Sequence, residues 1–246
     1  MLQEPAASHW AQQNFGPQAT DVQHRLVDAL VQSQGRAVLI QQMSGLDTKQ
    51  PYGGMWPKVH QEVELQLSKV PGAQRFRPPR ACYNLMVVNG RLLLPFRHAD
   101  SLSVPASKAR LTTKVARELS AMLAAAAPAA DLFSLFSPED LSETPVLKRP
   151  ELIYLAPQTK VIYVPYVSHA HSGLLKAWWG EAMMEADGTL AWRQDPEELP
   201  VSHALLSFRR SGPINVPVSQ PAATPRFNEG DLPPLGFPGD SGELAR

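Results

Sequence analysis

The chain of 246 residues has one cysteine, Cys82, so no disulfide can form within it and a reducing, cytoplasmic setting is expected. No apolar run approaches the roughly 18 residues that a membrane-spanning helix needs. The opening residues MLQEPAASHWAQQ lack the basic start and apolar middle of a secretory signal. GxSxG, GxxxxGK[ST], GxGxxG and HExxH are all missing, which removes the common hydrolase, nucleotide-binding and zinc-protease signatures. With 23 basic and 23 acidic residues, the chain has no overall excess of positive charge. No internal repeat is present, and no cofactor is expected.

What is there is ordinary material for a core: 43% hydrophobic and 19% charged residues. The charge, however, is unevenly placed. Residues 69–117 hold ten Lys and Arg against one acid, Asp100, while the rest holds 13 basic and 22 acidic residues. Such asymmetry marks a footprint for a polyanion, or one half of a contact with an acidic surface.

The centre of that basic stretch is CYNLMVVNGRLLLPFR, Cys82–Arg97. Two apolar runs flank Asn89-Gly90, and a type I′ turn favours this pair because both central residues need positive φ. The turn sets Val88 opposite Arg91. Tyr83, Leu85, Val87, Leu92, Leu94 and Phe96 then share one apolar face, while Cys82, Asn84, Met86, Val88, Arg91, Leu93, Pro95 and Arg97 share the other. Pro95 has no N–H to give to the partner strand, so pairing is expected to end or bulge near Leu85 and Leu94.

Around this hairpin the pattern predicts an irregular arm over residues 1–19, with Trp10 and Phe15 as anchors. A helix follows from Thr20, with Thr20 and Gln23 as a capping box, to a stop at Gly35. Residues 36–42 and 60–67 read as strands and residues 43–58 as a loop. Residues 105–127 read as a helix carrying Arg110, Lys114 and Arg117 on one side. A short helix is expected at 131–136. A second β region spans about 152–193, with a hairpin at 152–167 and another turning at Asp187-Gly188. Seven prolines and five glycines after Gly212's neighbour Ser211 give residues 209–246 a flexible composition. The expected fold is a single α+β domain over residues 20–208. Its mixed sheet has a central hairpin at about 82–97, packed against helices at about 20–34 and 105–127.

The order helix, strand, strand, hairpin, helix, strand resembles the core of restriction-endonuclease-like nucleases. There the central hairpin carries an acid on one strand and an acid-x-lysine on the next. Here Asn84 stands near the place of the first acid, and Pro95-Phe96-Arg97 near that of acid-x-lysine. Hydrated Mg²⁺ needs carboxylates, so the resemblance implies a degenerate core without nuclease chemistry. The leading expectation is therefore a non-catalytic binding or regulatory protein with a basic face for nucleic acid or an acidic partner. Arg75, Arg77, Arg80, Asn84, Arg91, Arg97, Arg110, Lys114 and Arg117 are its candidate residues, with Phe76 as a stacking group. A second expectation is a metal-dependent hydrolase. His169-x-His171 resembles the start of the metallo-β-lactamase-like HxHxDH motif, but Ser172-Gly173 replaces its continuation, and a distant acid such as Asp187 would have to assist. A third is a protein-docking module anchored on Trp178 or Trp179.

Overall fold

The computed structural model describes residues 7–126 and 158–201. It is an α+β fold with a mixed sheet of six strands and a smaller sheet of two. The large sheet has the order β1-β2-β3-β4-β5-β8, formed by β1 (Gln74–Phe76), β2 (Leu85–Val88), β3 (Arg91–Ala99), β4 (Lys160–His169), β5 (Gly173–Trp179) and β8 (Glu197–Glu198). All neighbours run antiparallel except the central pair β3 and β4. The hairpin forms as the sequence predicts, with Val88 opposite Arg91 and with Asn89 and Gly90 at φ 49° and 69°. Its ladder ends at Met86–Leu93, two residues short of Pro95, so the missing proline N–H leaves no gap between β2 and β3. Beyond that point the strands part, and the hairpin has an open end.

Both faces of the sheet are covered. On one face Met86, Val88, Leu93, Ile162, Val164, Tyr166 and Trp179 pack against helices α1 (His9–Phe15), α2 (Ala19–Ser44) and α4 (Trp56–Leu67). On the other, Leu85, Val87, Leu92, Leu94 and Tyr163 pack against α5 (Lys114–Ala126) and against Leu190 and Trp192 of the small sheet, β6 (Ala182–Met184) with β7 (Leu190–Trp192). Such strands read as nearly continuous apolar runs, because neither side meets water.

Several expected boundaries move. Residues 9–15 are helical, with the Ser8 side chain accepting a hydrogen bond from the Ala11 N–H; Phe15 is buried, and Trp10 packs beside it against Trp179. Thr20 caps nothing, since α2 begins at Ala19. Nor does Gly35 stop α2. A glycine inside a helix costs only about 1 kcal/mol, and Ala37, Val38 and Gln41 continue the buried stripe of Leu30, Ser33 and Gln34. The left-handed residue is Gly45, at φ 62°. Residues 50–54 form the one-turn helix α3 (Gln50–Gly54), and residues 60–67 belong to α4 rather than to a strand. The apparent alternation of Val63, Leu65 and Leu67 is broken by Leu65, which is exposed, while Val59, Val63 and Leu67 keep helical spacing inside.

The helix expected from Pro105 begins only at Lys114. Before it, Ala109–Leu111 lies extended and bonds to residues 188–190: the Leu111 N–H to the Gly188 carbonyl and the Leu190 N–H to the Ala109 carbonyl. The reversal at Asp187-Gly188 does form, between β6 and β7, with Gly188 at φ 96°. A Cβ there would lie 2.5 Å from the Leu111 carbonyl oxygen, so the position needs glycine twice over. The expected helix at 131–136, the strand at 152–156 and the segment 209–246 lie outside the described residues. Among the described residues no helix is long and apolar enough to cross a membrane.

Candidate functional site

The basic residues of 69–117 do not share one surface, because the sheet divides them. Arg91 and Arg97 point to the α2 side, whereas α5 packs on the opposite face, so the side chains of Lys114 and Arg117 cannot extend the hairpin's basic face. Arg110 and Arg117 are brought together around one turn: Arg110 Nε donates to the Asp187 carbonyl at 2.8 Å, and Arg117 Nη2 to that of Ala186. The Asp187 carboxylate in turn accepts from the N–H and hydroxyl of Thr189, which holds its pKa below the usual range, with Arg110 adding to the effect. Lys114 lies 3.8 Å from Glu118. Arg75 pairs with Glu64 at 2.9 Å, Arg77 Nε donates to the Ala81 carbonyl, and Arg80 stands in left-handed backbone at φ 62°.

At the turn end of the hairpin, Arg91 Nε donates to Asn14 Oδ1 at 2.7 Å, and Asn89 Nδ2 donates to the Asn14 carbonyl. This arginine fastens α1 to the sheet. At the open end the arrangement differs. Arg97 Nη2 donates to the Ser168 carbonyl at 2.8 Å and Nε to the Ser168 hydroxyl at 3.1 Å. Its guanidinium carbon lies 5.5 Å from the centre of the Tyr52 ring, within range of a cation–π contact. The residue nevertheless remains exposed.

Buried polar groups fix the position of Tyr52. Its hydroxyl donates to Gln34 Oε1, and its N–H donates to Gln41 Oε1. The Gln41 amide nitrogen then donates to the carbonyls of Leu46 and Thr48, which ties down the loop between α2 and α3. Burial, followed by the nearby Tyr52, pushes the Tyr166 hydroxyl far above its ordinary pKa, so it stays protonated. The whole group lies at the carboxyl ends of the two parallel strands, a usual location for ligands in sheets of this kind.

Beside it, at the start of β2, is an aromatic group. His60 stacks on Tyr83 with ring centres 3.8 Å apart, and Trp56 stands nearly perpendicular to both. Burial lowers the His60 pKa to about 4, so the ring is neutral at pH 7. Trp56 is 50% exposed. Asn84 donates to Glu64 Oε2 at 2.9 Å, and Arg75 holds the other oxygen of the same carboxylate. Trp56, Tyr83 and Asn84 thus stand near the start of β2, where Arg75 joins through Glu64, and Arg97 with Tyr52 at the carboxyl ends of β3 and β4.

His169 and His171 occupy the turn between β4 and β5, their ring centres 5.4 Å apart, and His169 Nδ1 accepts the His171 N–H. Among the described residues no group of three or more His, Cys, Asp or Glu side chains could hold a metal ion. Trp179 is fully buried and Trp178 only partly so. Phe76, expected to stack on a ligand, is buried in the core. The aromatic available at the surface is another, Trp56, which with the buried Tyr52 falls in a stretch whose glycines and prolines read as a loop.

Comparison of the chain with protein-family models, with curated proteins and with solved structures returned no match.

Proposed function

We propose that the chain is a non-catalytic nucleic-acid-binding protein on a degenerate nuclease-like core, and that its binding edge is the open end of the β2–β3 hairpin. The observation that carries this reading is Arg97. Two of its nitrogens are fixed by Ser168 and its guanidinium carbon lies 5.5 Å from the centre of the Tyr52 ring, while the residue stays open to solvent. An arginine fixed in this way loses little side-chain freedom when it meets a phosphate.

The nuclease-like reading draws support from the arrangement around it. Residues 36–42 and 60–67, the two strands of the expected order, are helical, but helix, strand, hairpin, helix and a strand parallel to β3 still follow one another in the described chain. By that resemblance Asn84 and Pro95 fall near the hairpin positions where acids would bind a metal and Arg97 near that of the lysine, and neither an amide nor a proline is a Mg²⁺ ligand of the required charge. A phosphodiester drawn to such an edge would be held by hydrogen bonds and charge rather than cleaved. One exposed cysteine and the lack of a membrane-spanning helix among the described residues accord with a cytoplasmic location.

The test is fluorescence anisotropy of a labelled oligonucleotide across a salt series. Binding should weaken with salt on a log–log line, and Arg97→Ala should reduce both the affinity and the slope, the latter by about one phosphate contact. Absence of salt-dependent binding, or an Arg97→Ala protein that binds as the parent does, rejects the proposal. Binding to polyglutamate but not to nucleic acid would point to an acidic protein partner instead.

A further inference from the structure

We infer that the nucleic acid bound at this edge is single-stranded, with a base stacked on Trp56 and a neighbouring phosphate on Arg97; this rests on the binding function proposed above. Three features carry the inference. The first is the exposure of Trp56, the first residue of α4, at 50%. An indole usually lies against apolar neighbours, yet this one rests perpendicular to the stacked Tyr83–His60 pair, at 5.5 and 5.9 Å between ring centres, with the rest of its surface open. That pair is rigid, because His60 is buried and Tyr83 lies flat on it.

The second feature is proximity along the chain. Tyr52, the shelf for Arg97, and Trp56 are four residues apart on the consecutive helices α3 and α4. The third is electrostatic. Glu64, which would repel a phosphate near Asn84, is paired with Arg75 at 2.9 Å. Across the edge, Asp100 faces Lys49 at 3.6 Å.

An anchored arginine alone would suit any phosphate backbone. The aromatic surface beside it discriminates, since the bases of a duplex have both faces covered while an unpaired base has a face to offer. A duplex would meet Arg97 but leave Trp56 unused.

The experiment measures anisotropy with the full chain, a fluorescein-labelled thymidine oligonucleotide of about fifteen residues, within the ~4–16 nucleotides typical of such sites, and a duplex of equal length. The single strand should bind more tightly. Trp56→Ala should weaken it by roughly 5- to 100-fold, the range for loss of one stacked base, leave duplex binding unchanged, and be rescued largely by Trp56→Phe. Should Trp56→Ala fold poorly, a second readout needs no variant: Cys82, exposed and next to Tyr83, should react with a maleimide more slowly when the single strand is bound, and at its free rate with the duplex. Equal binding of the two forms, a Trp56→Ala effect of the same size on both, or no protection of Cys82 overturns the inference. If Arg97→Ala still weakens duplex binding in those cases, the binding function stands and only the strand preference falls. If neither nucleic acid binds, both fall together.

Discussion

The two ends of the β2–β3 hairpin each carry an arginine on the same face of β3, and they use it in opposite ways. At the turn end, Arg91 reaches Asn14 of α1, and the buried Trp179 packs against the buried Phe15 and the partly buried Trp10, with ring centres 5.3 and 5.5 Å away. Polar and apolar groups there bind the first helix to the sheet. At the open end, Arg97 is held just as firmly, by Ser168 and Tyr52, but it and Trp56 are left facing water. Buried polar side chains elsewhere, such as Asn14 and Ser33, hydrogen-bond to carbonyls of their own helices. Those at the open end support side chains that nothing described covers, and such support suits recognition better than stability.

The sharpest way to break that contrast is to remove an indole from each end and compare melting curves. Trp179 is fully buried, so Trp179→Ala should destabilise the fold by about 3–5 kcal/mol. Trp56→Ala should change stability by less than about 1 kcal/mol, as befits a half-exposed side chain. Equal losses would mean that Trp56 is a packing residue after all.

Next in size is a pH effect confined to the open end. His60 has a folded-state pKa of about 4, below the ordinary 6.5, because burial disfavours its cation. Between those values the unfolded chain takes up a proton that the folded chain refuses, so stability falls as pH drops from about 6.5 to 4 and is unaffected by this group above 7. At about 1.4 kcal/mol per unit, the loss is on the order of 3 kcal/mol. Denaturant melts of His60→Phe should show a shallower acid limb than the parent. Parallel limbs would remove His60 from the account.

The sequence makes the hairpin itself legible, because Asn89-Gly90 states a local backbone requirement that tertiary context did not override. It also shows that both faces of that ribbon are apolar enough to be covered. Residues 36–67 were harder to read. RAVLIQQ is rich in branched side chains and follows a glycine, and HQEVELQL alternates, so local pattern favoured strands. What decided for helix was the continuity of a buried stripe across Gly35 and from Val59 to Leu67, a tertiary fact. The candidate site was half legible for the same reason. Arg97 and Asn84 follow from the register of the hairpin, while Tyr52, Trp56 and Gln41 come from residues 36–67. Ser168 lies on β4, some seventy positions from Arg97, and only the parallel pairing joins them.

The smallest stability effect is the one that sharpens the comparison most. Asn14 is buried and receives Arg91, so Asn14→Ala leaves a guanidinium without its acceptor and should cost about 1–3 kcal/mol. Arg97 is exposed, so on its removal water can take the place of its guanidinium at the buried Ser168. Arg97→Ala should therefore lower stability by no more than about 1 kcal/mol, while nucleic-acid affinity drops and its salt slope flattens. Asn14→Ala should do the reverse, weakening the fold and leaving affinity intact below its melting range. If the two substitutions prove interchangeable, with equal losses of stability and no change in binding, then both arginines are fasteners and the open end is a second seam of the fold rather than a surface for recognition.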